Sequence, residues 1–196
     1  MRRGSFIIAL GAATLVVAGC GGGERQDKSE PSGTFNVEVV DAKFPSAQRL
    51  AKQEEMTIEV RNADTRTIPQ VAVTVNSFST REERQDLADP NRPAWIVDSG
   101  PSGGATAYTN TWAMGALKPG QTKTFTWHVT PVAAGTHKVS YRVAAGLTGK
   151  AKAQLAGGQI PEGSFAVDIS SKPAQATVDP DTGEVVREGD SDSSGT

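Results

Sequence analysis

Phe125-Thr126-Trp127-His128-Val129, followed shortly by His137-Lys138-Val139-Ser140-Tyr141-Arg142-Val143, is the stretch that decides how this chain folds. Phe125, Trp127 and Val129 alternate with Thr126 and His128. Val139, Tyr141 and Val143 alternate with Ser140 and Arg142. A period of two puts every second side chain on one face of an extended strand, so each run has one apolar and one polar face. By this phase His128 points to solvent, whereas His137, in step with Val139, sits at the edge of a core.

The same alternation recurs on both sides of this stretch. It appears at Phe35-Val37-Val39, Met56-Ile58-Val60, Val71-Val73-Val75, Ala151-Ala153-Leu155 and Phe165-Val167-Ile169. Gly, Pro, Asn or Asp separates most of these runs, as in the turn at Asn62-Ala63-Asp64, and no amphipathic helix stands out. About seven short strands of this kind predict an all-β, antiparallel β-sandwich spanning residues 34–171, large enough to bury a core without disulfides.

Two segments do not fit the pattern. Ser77 to Asn110 is a long connection, charged from Thr80 to Pro93 with room for a helical turn, then Gly/Ser-rich from Ser99 to Ala105 and expected to be mobile. A connection of this length in a small domain is typically functional or disordered. It is flanked by Trp95 and Trp112 and carries Tyr108, so Trp95, Tyr108 and Trp112 form the candidate binding surface. On this reading, Glu82–Ala107 is dispensable for folding. The second segment is the acidic tail, residues 172–196. Its Thr177–Val186 stretch reads as two short extended runs around a Pro-Asp-x-Gly turn, a hairpin able to join the sandwich edge, with disorder expected beyond Arg187.

The N-terminus carries a different signal. Arg2 and Arg3 precede an apolar run from Phe6 to Val17, too short to span a bilayer as a helix and of the length of a signal-peptide core. Leu15-Val16-Val17-Ala18-Gly19-Cys20 resembles the bacterial lipobox, in which the Cys becomes the lipid-bearing mature N-terminus. Cys20 is the only cysteine in the chain. The resemblance makes residues 1–19 a leader and Cys20 the lipid attachment point. The chain would then be held at the extracytoplasmic face of the cell membrane, and two acyl chains give the firm anchorage that one does not. Residues 20–33 offer no apolar side chain to pack and read as a flexible tether.

A second resemblance concerns the body. Leu117-Lys118-Pro119-Gly120-Gln121-Thr122, Ala134-Gly135-Thr136-His137-Lys138-Val139 and Ile58-Glu59-Val60-Arg61-Asn62-Ala63 look like the turn and strand motifs of bacterial immunoglobulin-like surface and adhesion domains. The resemblance implies an immunoglobulin-like sandwich with His137 where the tyrosine corner has Tyr, and Val139 where the second Cys would stand. It specifies a fold and leaves activity open.

Charge and composition narrow the function. Loss of Arg2 and Arg3 with the leader takes the formal charge from −2 to −4, and the tail alone sets Lys172 and Arg187 against six acids. The body is therefore near neutral, with no basic field for nucleic acid. With Cys20 lipidated, no disulfide or Cys-based metal cluster can form. Gly100-Pro101-Ser102-Gly103-Gly104 matches a nucleophile elbow in letters only, since poor helix-forming residues follow it. Asp179-Pro180-Asp181-Thr182-Gly183 opens like a calcium loop, but Gly183 stands where the third ligand belongs. Trp127 is in phase with the core. The expectation is a non-enzymatic envelope module without cofactor, binding another envelope protein or a wall polymer. The alternative is a small-molecule or copper carrier using Met114, His128 and His137.

Overall fold

All seven runs of period-two alternation form strands in the computed structural model, which describes residues 30–79, 93–178, 180, 182–183 and 185–187. The leader, Cys20, most of the tether and residues 80–92 lie outside the described residues. The strands are β1 (Gly33–Lys43), β2 (Ala47–Arg49), β3 (Glu54–Asn62), β4 (Ala72–Thr74), β5 (Trp95–Ser99), β6 (Thr111–Ala113), β7 (Thr122–Pro131), β8 (Gly135–Ala144), β9 (Ala151–Gln154) and β10 (Glu162–Ser170). A hairpin of β11 (Ala176–Val178) and β12 (Val185–Arg187) follows. Between β4 and β5 a 3-10 turn spans Asn76–Ser79.

Two five-stranded sheets carry the fold, in the orders β5-β7-β3-β1-β9 and β2-β10-β8-β4-β6. Taken in chain order, β1, β3, β4, β5, β7, β8 and β10 occupy the places of strands A to G of a constant-type immunoglobulin domain: A, B, E and D form one sheet, and C, F and G the other. The chain is an immunoglobulin-like β-sandwich. Its seventh strand differs from the sequence expectation. β9 is an added edge strand, parallel to β1, while β5 arises inside the segment read as irregular. β2 and β6 extend the other sheet, and β2 pairs parallel with β10 after the chain crosses between sheets at Lys43–Ala47.

Side-chain alternation fills the space between the sheets. Met56, Ile58 and Val60 of β3, Phe125, Trp127 and Val129 of β7, and Val139 of β8 have no exposed surface. Burial of this kind stabilises by about 1.5–3 kcal/mol per large apolar side chain. In β1 a bulge between Val39 and Asp41 breaks the phase, leaving Val40 exposed after the buried Phe35 and Val37.

One end of the sandwich is tied by Asn62, 1% exposed at the end of β3. Its amide donates to the carbonyls of Leu117 (2.7 Å) and Arg66 (2.9 Å), and its Oδ1 accepts the Asp64 N–H (2.8 Å). Asp64 in turn accepts from the Asn36 N–H at 3.0 Å and pairs with the Arg66 guanidinium, which also lies 4.5 Å from the Phe35 ring centroid. The Arg66 hydrogen bond, with the Asn36 N–H second, holds the Asp64 carboxyl down at about 2 from its usual 3.8. Beside it, Lys118-Pro119-Gly120-Gln121 makes a tight turn, with the Gln121 N–H on the Lys118 carbonyl and Gly120 at φ +73°. Pro then Gly at the two central positions is what a type II turn requires.

Candidate functional surface

The long connection is built differently from the exposed platform that its composition suggests. Trp95 is 2% exposed and Trp112 is 8% exposed. Both are core residues, which corrects their assignment to a binding surface. Trp95 plugs the end of the core near the β7–β8 turn, with its ring edge-on to Phe78 and His137 and tilted against Phe44. Its indole N–H donates to Gln48 Oε1 at 2.8 Å, and Gln48, 3% exposed, donates to the Pro45 carbonyl. Trp112 packs edge-on against Phe78 and Trp127. Indole rings bury the most apolar surface of any side chain, so a small core recruits them even from short strands.

The Gly-rich half of the connection is ordered for the same reason. Gly100 lies where any Cβ would run into the Trp112 indole, and Gly103 where one would meet the backbone of Ala113. The Gly104 N–H closes a turn on the Pro101 carbonyl at 2.9 Å, and Ala105 bridges to Trp112. These glycines are places of close approach, where the segment packs on Trp112 and on the backbone of Ala113. Ser102 falls in that turn, which leads to a β-bridge, so the strand–turn–helix context of a nucleophile elbow is missing.

Of the three residues expected to form the surface, Tyr108 is the exposed one, at 37%. Its N–H is held by Thr106 Oγ1 at 3.0 Å. A shallow groove runs alongside, walled by Gly103–Thr106 on one side and by Met114 and Gly115 on the other, with Ala113 and Gln70 also lining it. A second groove opens at the lateral seam between β1 and β10. Val37, Val39, Tyr141, Leu155 and Pro161 form its apolar lining, and the ion pairs Arg61–Glu38 and Arg142–Glu162 contribute to its rim.

His128, His137 and Met114 are not brought together. His137 is 5% exposed on the inner face of β8. Its Nε2–H donates to the Ala133 carbonyl at 3.1 Å, four residues upstream. This is the hydrogen bond of a tyrosine corner made by imidazole. His128 stands on the outer face of β7 in the other sheet, and Met114 follows β6. A copper site needs these donors to converge on one point, and the fold sets them on three separate surfaces. Among the described residues no group of three or more His, Cys, Asp or Glu side chains is placed to hold a metal. Asp179 and Asp181 of the calcium-like stretch lie outside them.

His128 does belong to a polar relay that sequence inspection missed. Ser99 Oγ is 3.0 Å from His128 Nδ1, and His128 Nε2 is 3.4 Å from Glu55 Oε2. A register shift between Val97 and Ser99 aims the serine at the imidazole. With the serine on Nδ1 and the carboxylate on Nε2, the reverse of the usual ring contacts, the residue types are still those of a catalytic triad. The setting is not: the His128 side chain keeps 42% of its surface in water on an open sheet face, where activation through charge is screened. Nearby, Thr130 Oγ1 and Gln53 Nε2 donate to Asp98 Oδ2, so the whole group reads as cross-strand polar pairing. Glu55 stands opposite His128 in the β3–β7 register, a pairing that spacing alone does not reveal.

The start of the described chain is also anchored. Glu30 reaches into the β8–β9 turn and accepts hydrogen bonds from the N–H groups of Leu147 (2.6 Å), Thr148 (3.1 Å) and Ala151 (3.0 Å), and from Thr148 Oγ1 (2.9 Å). Gly146 leaves room for that carboxylate, since a Cβ there would collide with it. Burial by itself raises the Glu30 carboxyl, but the Ala151, Thr148 and Leu147 donors outweigh it and the net direction is downward. The tether therefore ends at Glu30, three residues earlier than its composition suggests. The C-terminal hairpin does form, but as a separate two-stranded ladder with Val178 and Val185 exposed on it.

No family model matches the chain, and no curated protein matches it. Solved structures do. The CARDB domain of the PF1109 protein from Pyrococcus furiosus, in complex with di-metal ions, is 18% identical over 70% of this chain and 94% of that one, with a TM-score of 0.42. Native alpha-2-macroglobulin from Escherichia coli, from domain MG7 to the C-terminus, is 14% identical over 74% of this chain and 18% of that one, with a TM-score of 0.44. The ASH/PapD-like domain of human CEP192 is 14% identical over 85% of this chain and 99% of that one, with a TM-score of 0.39.

Proposed function

We propose that this chain is a lipid-anchored protein of the bacterial cell envelope, held at the outer face of the membrane through Cys20, whose sandwich acts as a non-enzymatic binding or structural module. One observation carries the reading: a basic, then apolar leader ends in Ala18-Gly19-Cys20, and that cysteine is the only one in the chain. A soluble domain linked by a short polar segment to a lipid is a unit that presents its surface to neighbours. The partner is another envelope protein or a wall polymer. It would meet the exposed Tyr108 and the groove between Gly103–Thr106 and Met114.

Mass spectrometry of the mature N-terminus tests the anchor. Cys20 is expected to carry acyl chains, and Cys20→Ser should leave an unprocessed precursor released from the membrane fraction. A mature chain beginning with unmodified Cys20, or retained on membranes after Cys20→Ser, would refute it. Photo-cross-linking from a probe residue at position 107 in intact cells tests the surface, with an unchanged set of adducts after Tyr108→Ala as the contrary result.

A further inference from the structure

Glu30 and the polarity of the sandwich together point to an orientation. β1 starts at Gly33, whose N–H bonds the Lys150 carbonyl at 3.0 Å, and Glu30 is clamped to the same turn. The strand registers bring the Asn62–Ile68 segment, the Lys118–Gln121 turn and the Gly146–Lys150 turn to that one end. Nine residues lie between Cys20 and Glu30, and the ten residue steps span at most roughly 33–36 Å when fully extended. The other end of the sandwich, with Lys43–Ala47 and the β7–β8 turn, stands one strand length away, about 30 Å.

Charge follows the same axis. The tether end shows Arg66, Lys118 and Lys150 on its surface. Among the described residues its acids are Glu30, held by N–H groups of the Gly146–Ala151 turn, and Asp64, which pairs with Arg66, so Lys118 and Lys150 supply the excess of positive charge there. β10 ends at Ser170 on the opposite end, where the Ala174 N–H bonds the Leu50 carbonyl. The acidic tail thus departs from the far side. A bilayer surface rich in anionic lipid attracts nearby lysines and repels such a tail.

We propose that the end built from the Asn62–Ile68, Lys118–Gln121 and Gly146–Lys150 segments rests against anionic lipid headgroups, with Glu30 latching the tether to it, while the opposite end, where β10 finishes, faces away from the membrane. The proposal rests on lipidation at Cys20. The latch does two things at once: it shortens the free tether and fixes where the chain leaves the body.

The full-length lipidated protein is the test object. Because the Cys20 thiol is consumed by the lipid, Ala116→Cys at the tether end and Ser46→Cys at the far end can each carry a single fluorophore. Vesicles of phosphatidylglycerol and phosphatidylethanolamine bearing a headgroup quencher should quench position 116 several-fold more than position 46. The contrast should shrink in phosphatidylcholine vesicles and in Lys118→Glu/Lys150→Glu. In Glu30→Gln, amide exchange at Thr148 and Ala151 should accelerate while that of Val139 stays unchanged. Equal quenching at both positions, with acylated Cys20 verified by mass, would overturn the orientation and leave the anchor standing. Unchanged exchange at Thr148 and Ala151 would remove the latch. Absence of the lipid mass would instead sink the anchor itself.

Discussion

Strands β7 and β8, which lie in opposite sheets, and the Ser77–Ala113 connection both feed aromatic side chains into one core, yet they do so by opposite means. In β7 and β8 long regular alternation places Phe125, Trp127, Val139 and Tyr141, and each residue's fate follows from its phase. In the connection, a four-residue turn and strands of five and three residues deliver Phe78, Trp95 and Trp112. A three-residue strand cannot display a period, so its tryptophan looks unattached in sequence. The lesson is that an aromatic residue in an irregular segment of a small sandwich belongs to the core unless something keeps it out.

The strongest way to break this comparison is to remove the connection. Replacing Glu82–Ala107 with a short Gly/Ser linker deletes β5 and Trp95, and should abolish cooperative unfolding by near-ultraviolet circular dichroism. Trp95→Ala alone should destabilise by about 3–5 kcal/mol, as much as Trp127→Ala. A cooperative transition in the deletion variant would show that the connection is peripheral after all.

A finer experiment separates the two tryptophans. Trp127 Nε1 is buried without a hydrogen-bond partner among the described residues, whereas Trp95 Nε1 serves the buried Gln48. Trp95→Phe should therefore exceed Trp127→Phe in urea denaturation by about 1–3 kcal/mol, the penalty for leaving Gln48 Oε1 unsatisfied. Equal losses would mean that ring volume alone matters at both sites.

The two histidines repeat the contrast on a smaller scale. His137→Ala should lose about 1–2 kcal/mol through the corner hydrogen bond to Ala133. His128→Ala, on the open face, should change stability by no more than about 0.5 kcal/mol. Reversed magnitudes would undo the assignment of His137 to the corner.

One effect is confined to acid. Asp64 has a folded pKa of about 2 against 3.8 unfolded. Its lowered value stabilises the fold in full above 3.8, and that contribution disappears as pH falls toward 2. The gap in denaturation midpoint between the wild type and Asp64→Asn should thus hold steady from neutrality to about pH 4 and close below it. A gap independent of pH would assign Asp64 a purely steric role.

What was legible in the sequence follows from these physics. Long strands with one apolar face declared themselves, and the phase of His128 and His137 gave their opposite exposures. The corner position of His137 was legible from its spacing to Val139. The place of Trp95 and Trp112 was not, because their burial depends on Gln48, Phe78 and Gly100, which are distant in sequence or carry no pattern. Glu30 was hidden for a related reason. A carboxylate in a polar tether looks solvated until a turn more than a hundred residues away supplies its donors. The Ser99–His128–Glu55 relay needed a bulge and a cross-strand register, neither of which local spacing encodes.

The course of β1 and β10 has a mechanical consequence. The chain enters β1 at one end of the sandwich and leaves β10 at the other, so tension applied between the start of β1 and the end of β10 runs along the strand axes. Interstrand hydrogen bonds lie across that direction. Those joining β1 to β3 and to β9 are then loaded together in shear, where peeling would break them one after another. Forced unfolding is governed by the barrier rather than by equilibrium stability, and shear raises that barrier. The domain thus resists a pull between those two ends through many interstrand bonds at once.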